Sequence, residues 1–157
     1  VYKDMEKSFF SRLRRMELDV TYETTVTTDV RLPDLQVLAE KVAADPDKLT
    51  LGELLRVAAL YRPGTEQYRE VYELAAYRYP ESREAMLNAG AASLALGDGE
   101  AAAYFLRLVA DDPRSWNNLG VLALMENESS EAISWFRKAM PQNPRLARRN
   151  IRIAQGY

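Results

Sequence analysis

Two hydrophobic periodicities divide this chain. Over residues 16–30, Met16, Leu18, Val20 and Tyr22 alternate with Glu17, Asp19, Thr21 and Glu23. Period two with β-branched residues predicts a half-buried strand. From residue 33 onward apolar positions recur every three or four residues, the spacing of amphipathic helices. Pro33 suits a first helical turn, and Leu35, Leu38, Ala39 and Val42 share one face over residues 33–44. Asp45-Pro46 ends that helix, since a residue before proline is driven out of the α region. Thr50 and Glu53 read as a capping box. Behind them Leu51, Leu54, Leu55, Ala58 and Ala59 make a stripe that runs to about Tyr61, where Arg62-Pro63-Gly64 breaks it. Thr65 opens the next helix, with Tyr68, Val71, Tyr72, Ala75 and Ala76 inward, and Tyr79-Pro80 closes it.

A single strand is not stable alone. Residues 16–30 are therefore expected to pair with another part of this chain, with a region upstream, or with a second copy. An unpaired edge of this kind is also a template for strand addition.

Residues 116–144 carry the most regular pattern: W-N-N-L-G-V-L-A, then A-I-S-W-F, then A-M-P-Q-N-P. Trp116, Leu119, Gly120, Ala132, Phe136, Ala139 and Pro144 fall on the 34-residue register of the tetratricopeptide repeat (TPR), with Ala123 in its tyrosine slot. The stretch resembles that helix–turn–helix repeat. Residues 83–112 match it at an offset of 30: Gly90 with Gly120, Ala102 with Ala132, Leu106 with Phe136, Val109 with Ala139. Residues 49–82 read as a divergent first repeat, with Tyr72 in the slot of Phe136, Ala75 in that of Ala139 and Pro80 in that of the terminal proline. Asp98, between Gly97 and Gly99, is the expected N-cap inside the second hairpin. The short spacing predicts a tight joint at residues 111–115 with a local change of superhelix pitch. Over residues 145–157, Leu146, Ile151, Ile153 and Ala154 are expected to cover the last hairpin, while Arg145, Arg148, Arg149 and Arg152 keep the outer face in water.

The fold class expected is all-α: a right-handed superhelical array of TPR-type hairpins with a short N-terminal β-strand arm. The division is an arm over residues 1–30, a linker helix over 31–48, three hairpins over 49–144 and a capping helix over 145–157. Each hairpin stacks on its neighbour because it cannot bury its apolar face alone.

Composition narrows the chemistry. An apolar content of 47% supports a packed core rather than wholesale disorder. Cysteine and histidine are both absent, which removes thiol nucleophiles, the usual zinc ligand sets and imidazole bases. A net charge of −2 argues against a general nucleic-acid binder. No H-E-x-x-H, phosphate-binding glycine loop or G-x-S-x-G occurs. The expectation is a protein that is not an enzyme and takes no cofactor or metal. No apolar run reaches the roughly 18 residues of a membrane helix. The chain opens at Val1 and reads as part of a longer protein. Residues 1–15, basic and aromatic with Phe9 and Phe10, read as an arm packed on that remainder; contact with nucleic acid or lipid headgroups is the alternative.

In TPR proteins the first helix of each hairpin lines the concave face. The resemblance puts Glu53, Val57, Leu60 and Tyr61 there in the first hairpin, Leu87, Asn88, Ala91 and Leu94 in the second, and Asn117, Asn118, Val121, Leu124 and Met125 in the third. Asn88 and Asn118 match the asparagine slot of the clamp with which some TPRs hold a terminal carboxylate. The lysines of that clamp are missing, and Val57, Ala91 and Val121 replace its other polar slot. Such a groove suits an extended or helical protein segment; the alternative is that these leucines are simply core.

A wider resemblance covers most of the chain. R-L-R-R-M-E-L-D-V-T-Y at residues 12–22 is similar to the last strand of OmpA-like periplasmic domains. Together with Asp45-Pro46, Leu49-Thr50-Leu51, Glu53-Leu54, Tyr61, Pro63-Gly64-Thr65 and Tyr79-Pro80, the order resembles the C-terminal region of Bacteroidetes cell-envelope proteins with an OmpA-like part ahead of a TPR part, often linked to fimbria assembly. The resemblance implies a periplasmic, outer-membrane-associated setting and an envelope or fimbrial protein as partner. A structural spacer, or an oligomer formed through residues 16–30, is the alternative role.

Overall fold

The computed structural model describes Thr21, Val37, Leu38, Glu40, Lys41, Ala44, Asp45 and residues 48–156. The expected arm and strand, Thr21 apart, and much of the expected linker helix lie outside the described residues. Val37, Leu38, Glu40, Lys41 and Ala44 are helical, with Leu38 buried and Val37 exposed.

Seven α-helices follow, with no strand among the described residues: α1 (Leu51–Ala58), α2 (Glu66–Arg78), α3 (Arg83–Ala95), α4 (Gly99–Leu108), α5 (Trp116–Met125), α6 (Ser129–Ala139) and α7 (Pro144–Ala154). Each helix packs on its neighbours in sequence, and α3 also reaches α5. The all-α class is therefore observed, as a helical repeat-like stack. None of the helices is long and apolar enough to cross a membrane.

Local chemistry sets the helix starts. Thr50 accepts from the Glu53 N–H at 3.3 Å while Glu53 accepts from the Thr50 N–H at 2.8 Å, a complete capping box. Thr65, Ser82, Asp98 and Asn143 cap α2, α3, α4 and α7 in the same way, each accepting an otherwise orphan N–H. Gly64 and Gly97 turn the chain at φ of 84° and 80°, a backbone region open mainly to glycine. In α1 the buried face is Leu54, Leu55, Val57 and Ala58. Ala59 lies past the helix end and is exposed, which corrects the predicted stripe by one position.

Two apolar clusters fill the stack. One joins α1, α2, α3 and α4 around Leu54, Tyr68, Tyr72 and Phe105; the other joins α3 to α7 around Leu94, Leu106, Leu119, Leu122 and Phe136. The glycine notches explain how the hairpins close. A Cβ on Gly90 would stand 2.5 Å from Leu106 Cγ, and one on Gly120 would stand 2.4 Å from the Phe136 ring. Both large side chains are fully buried, and burial of each stabilises the fold by about 1.5–3 kcal/mol.

Ion pairs link helices within and between hairpins. Arg69 of α2 reaches Asp98, the cap of α4, at 3.2 Å; Arg83 of α3 holds Asp111 through two bonds; Arg107 of α4 reaches Glu126 beyond α5.

Candidate functional site

The site is built on α5. A 3₁₀ turn over Pro113–Ser115 joins it to α4, at the joint where the short repeat spacing falls. Asp112 caps that turn by accepting from the Arg114 N–H at 3.0 Å, and the Ser115 hydroxyl donates to the Asp112 carbonyl at 2.8 Å. Bonds from the Arg114 guanidinium hold the Asp112 carboxyl below its ordinary pKa. The Trp116 indole N–H donates to the Ala110 carbonyl at 3.1 Å. These contacts phase the first turn of α5.

Every residue of α5 from Asn117 to Leu124 is buried, as is every residue of α3 from Ala85 to Leu94. A helix buried all round must satisfy each polar side chain within the protein. Asn118, fully buried, does so on the backbone of Thr21, 97 residues away in sequence. The Thr21 N–H donates to Asn118 Oδ1 at 3.0 Å, and Asn118 Nδ2 donates to the Thr21 carbonyl at 3.0 Å. Only when a residue is extended do its N–H and C=O point to the same side, which is how paired residues of antiparallel strands exchange both bonds. The primary amide of Asn118 thus takes the place of a neighbouring strand.

A chain of amides backs this bracket. Asn150 of α7, fully buried, donates to Asn117 Oδ1 at 2.8 Å. Asn117 Nδ2 faces Asn118 Oδ1 and Thr21 Oγ1, each at 3.4 Å. The sequence of donors and acceptors runs one way, so reversing any one amide would set like atoms against each other. Asn150 Oδ1 has no hydrogen-bond partner among the described residues. Beside Thr21 lies a cavity of about 220 Å³ lined in part by Pro113, Arg114, Ala139, Leu146 and Ala147.

The other expected groove residues are placed as follows. Val57 and Leu87 belong to the first apolar cluster, and Leu94, Val121 and Leu124 to the second. Asn88 and Ala91 are fully buried in α3. Leu60 stands in the turn after α1, 48% exposed. Asn117 and Asn118 are thus brought together with Thr21, and Asn150 joins them. Asn150 was absent from the sequence expectation, although a signal existed: Ala147, Asn150, Ile151 and Ala154 share one helical face, and one of the four is polar. Burial pushes up the pKa of Tyr72. No group of histidine, cysteine, aspartate and glutamate able to hold a metal occurs among the described residues.

Comparison with known proteins adds no assignment: no family model, curated protein or solved structure matches the chain.

Proposed function

We propose that this chain is a non-enzymatic, TPR-type scaffold that binds a protein partner as an extended segment along the face carrying Asn117 and Asn118. The observation that carries this reading is the double hydrogen bond between the Asn118 amide and the backbone of one residue, Thr21. A backbone-directed bracket accepts any extended sequence, and selectivity falls to the side chains on either side. An apolar side chain in place of Asn118 would remove both bonds to the Thr21 backbone, at about 0.5–1.5 kcal/mol for each.

The resemblance of most of the chain to envelope proteins supports a periplasmic setting for this role, with an envelope or fimbrial component as partner. Immobilised chain exposed to envelope extract tests the reading. A partner should be retained by the wild type and lost with both Asn118→Ala and the near-isosteric Asn118→Leu, while the far-UV helical signal is unchanged. Retention indifferent to both substitutions would remove the concave face from the account.

A second reading, a spacer or oligomerisation unit held together by the arm, draws on the same Thr21 contact, since a segment that docks within one chain can dock across two. Light scattering separates them, because exchange between copies makes the mass concentration-dependent.

A further inference from the structure

We propose that the outward ridge of α7 docks on the phosphate headgroups of an anionic lipid surface, independently of the face that carries Asn117 and Asn118. Charge is unevenly spread along the chain. Of the 21 Lys and Arg, six fall in the last 26 residues, and none of the 23 Asp and Glu does. Arg145, Arg148 and Arg152 are exposed on α7. At about 100° and 1.5 Å per residue, they lie within an arc of roughly 60° over about 10 Å of helix axis. Ala147 and Asn150, the buried residues of α7, lie on the opposite side. Arg137 and Lys138, exposed in the last turn of α6, add two cations where the chain turns into α7.

Helix electrostatics account for one of the three arginines. Arg152 lies in the last turn, where the helix dipole favours a cation. Arg145 lies in the first turn of α7, where α1, α2, α3, α4 and α6 each place a carboxylate. Arg148 stands three residues from Arg145 and four from Arg152, spacings at which like charges repel. None of the three forms an ion pair among the described residues. The row therefore opposes the fold that carries it, and an external anion offsets the repulsion.

The shape of the row favours a flat partner. Guanidinium groups bind phosphate through paired N–H donors, and a straight ridge lays all three on a planar array of headgroups. No aromatic residue occurs in α7 to stack a base. A second copy of the chain offers few free carboxylates, since Glu53, Glu66, Asp98, Asp111, Asp112 and Glu126 are held in ion pairs. The net charge of −2 does not prevent docking. With the ridge on the surface, the helices behind α7 begin about 10 Å away, beyond the screening length of about 8 Å at physiological ionic strength.

The test is co-sedimentation of the full chain with sucrose-loaded vesicles of phosphatidylglycerol in phosphatidylcholine, and with vesicles of phosphatidylcholine alone. The wild type should bind only the first, and less as salt is raised. Each cation near an anionic surface strengthens binding about fivefold, so Arg145→Gln/Arg148→Gln/Arg152→Gln should lower the partition coefficient roughly a hundredfold. Arg145→Lys/Arg148→Lys/Arg152→Lys should keep most of it. Lys48→Gln/Arg56→Gln/Arg62→Gln makes the same change of net charge at other exposed positions and should bind like the wild type. Equal loss in the two glutamine variants, or no binding of phosphatidylglycerol vesicles by the wild type, would overturn the proposal. Retention of an oligonucleotide in place of the vesicles would overturn it too, by assigning the ridge to nucleic acid.

Discussion

Helices α3 and α5 stand at equivalent places, 30 residues apart, and differ in the side chains that surround a buried asparagine. Gly90 and Gly120 both admit a large side chain from the second helix of their hairpin. Asn88 and Asn118 are both fully buried. In the first hairpin, however, α2 places the buried Tyr72 in the apolar cluster that it shares with α3. The matching position of α4 is Leu106, which has no polar atom to offer. The neighbour changes as well: Leu87 of α3 lies in the apolar cluster, whereas its counterpart Asn117 links Asn150 to Asn118. The same arrangement of helix and notch thus carries different side chains at α5, where Asn117, Asn118 and Asn150 meet Thr21.

That comparison can be broken first by making α5 resemble α3. Asn117→Leu leaves the buried Asn150 amide without its acceptor and should cost about 1–3 kcal/mol in urea unfolding, whereas Asn117→Leu/Asn150→Leu, with both partners apolar, should recover most of it. Additive losses in the double variant would contradict the amide chain.

The equivalence of the notches comes next. Gly120→Ala forces a methyl against the rigid Phe136 ring, an overpacking cost of about 1–3 kcal/mol, less the roughly 1 kcal/mol gained from alanine in a helix. The expected result is a net loss of up to about 2 kcal/mol. Gly90→Ala, against the more adaptable Leu106, should lose less. A stabilised Gly120→Ala would show that the close approach is not required.

The smallest effect is electrostatic. Hydrogen bonds from Lys41 and Thr50 lower the Glu53 carboxyl from its ordinary 4.5 to about 2. Its contribution is complete above pH 4.5 and is lost as the pH falls from there through about 2. Asp111 and Asp112, lowered by Arg83 and Arg114, titrate in the same sense. Melting temperature should therefore drop between pH 4.5 and 2 more steeply in the wild type than in Glu53→Gln. The docking of Thr21 should not follow this curve, because none of Asn117, Asn118 or Asn150 titrates.

Helix positions were largely legible in the sequence because their causes are local. Thr50, Thr65 and Asp98 cap helices where the pattern placed them, and the offset that pairs Gly90 with Gly120 matches notches filled by Leu106 and Phe136. The pairing of Asn118 with Thr21 was not legible. It spans 97 positions and is read through backbone atoms, which leave no trace in side-chain pattern. Alternation put Thr21 on the polar side of a strand without saying what it would meet. Asn150 was hidden for a related reason: a polar residue on an apolar stripe signals a partner without naming it.

The most direct measurement is amide hydrogen exchange at Thr21 in the full chain. The account predicts that the Thr21 N–H is protected in the wild type and loses at least tenfold of that protection in Asn118→Ala, while the amides of α3 and α5 keep theirs. Exchange at Thr21 as fast as in an unstructured peptide in the wild type, or equally slow with and without the Asn118 amide, would contradict it.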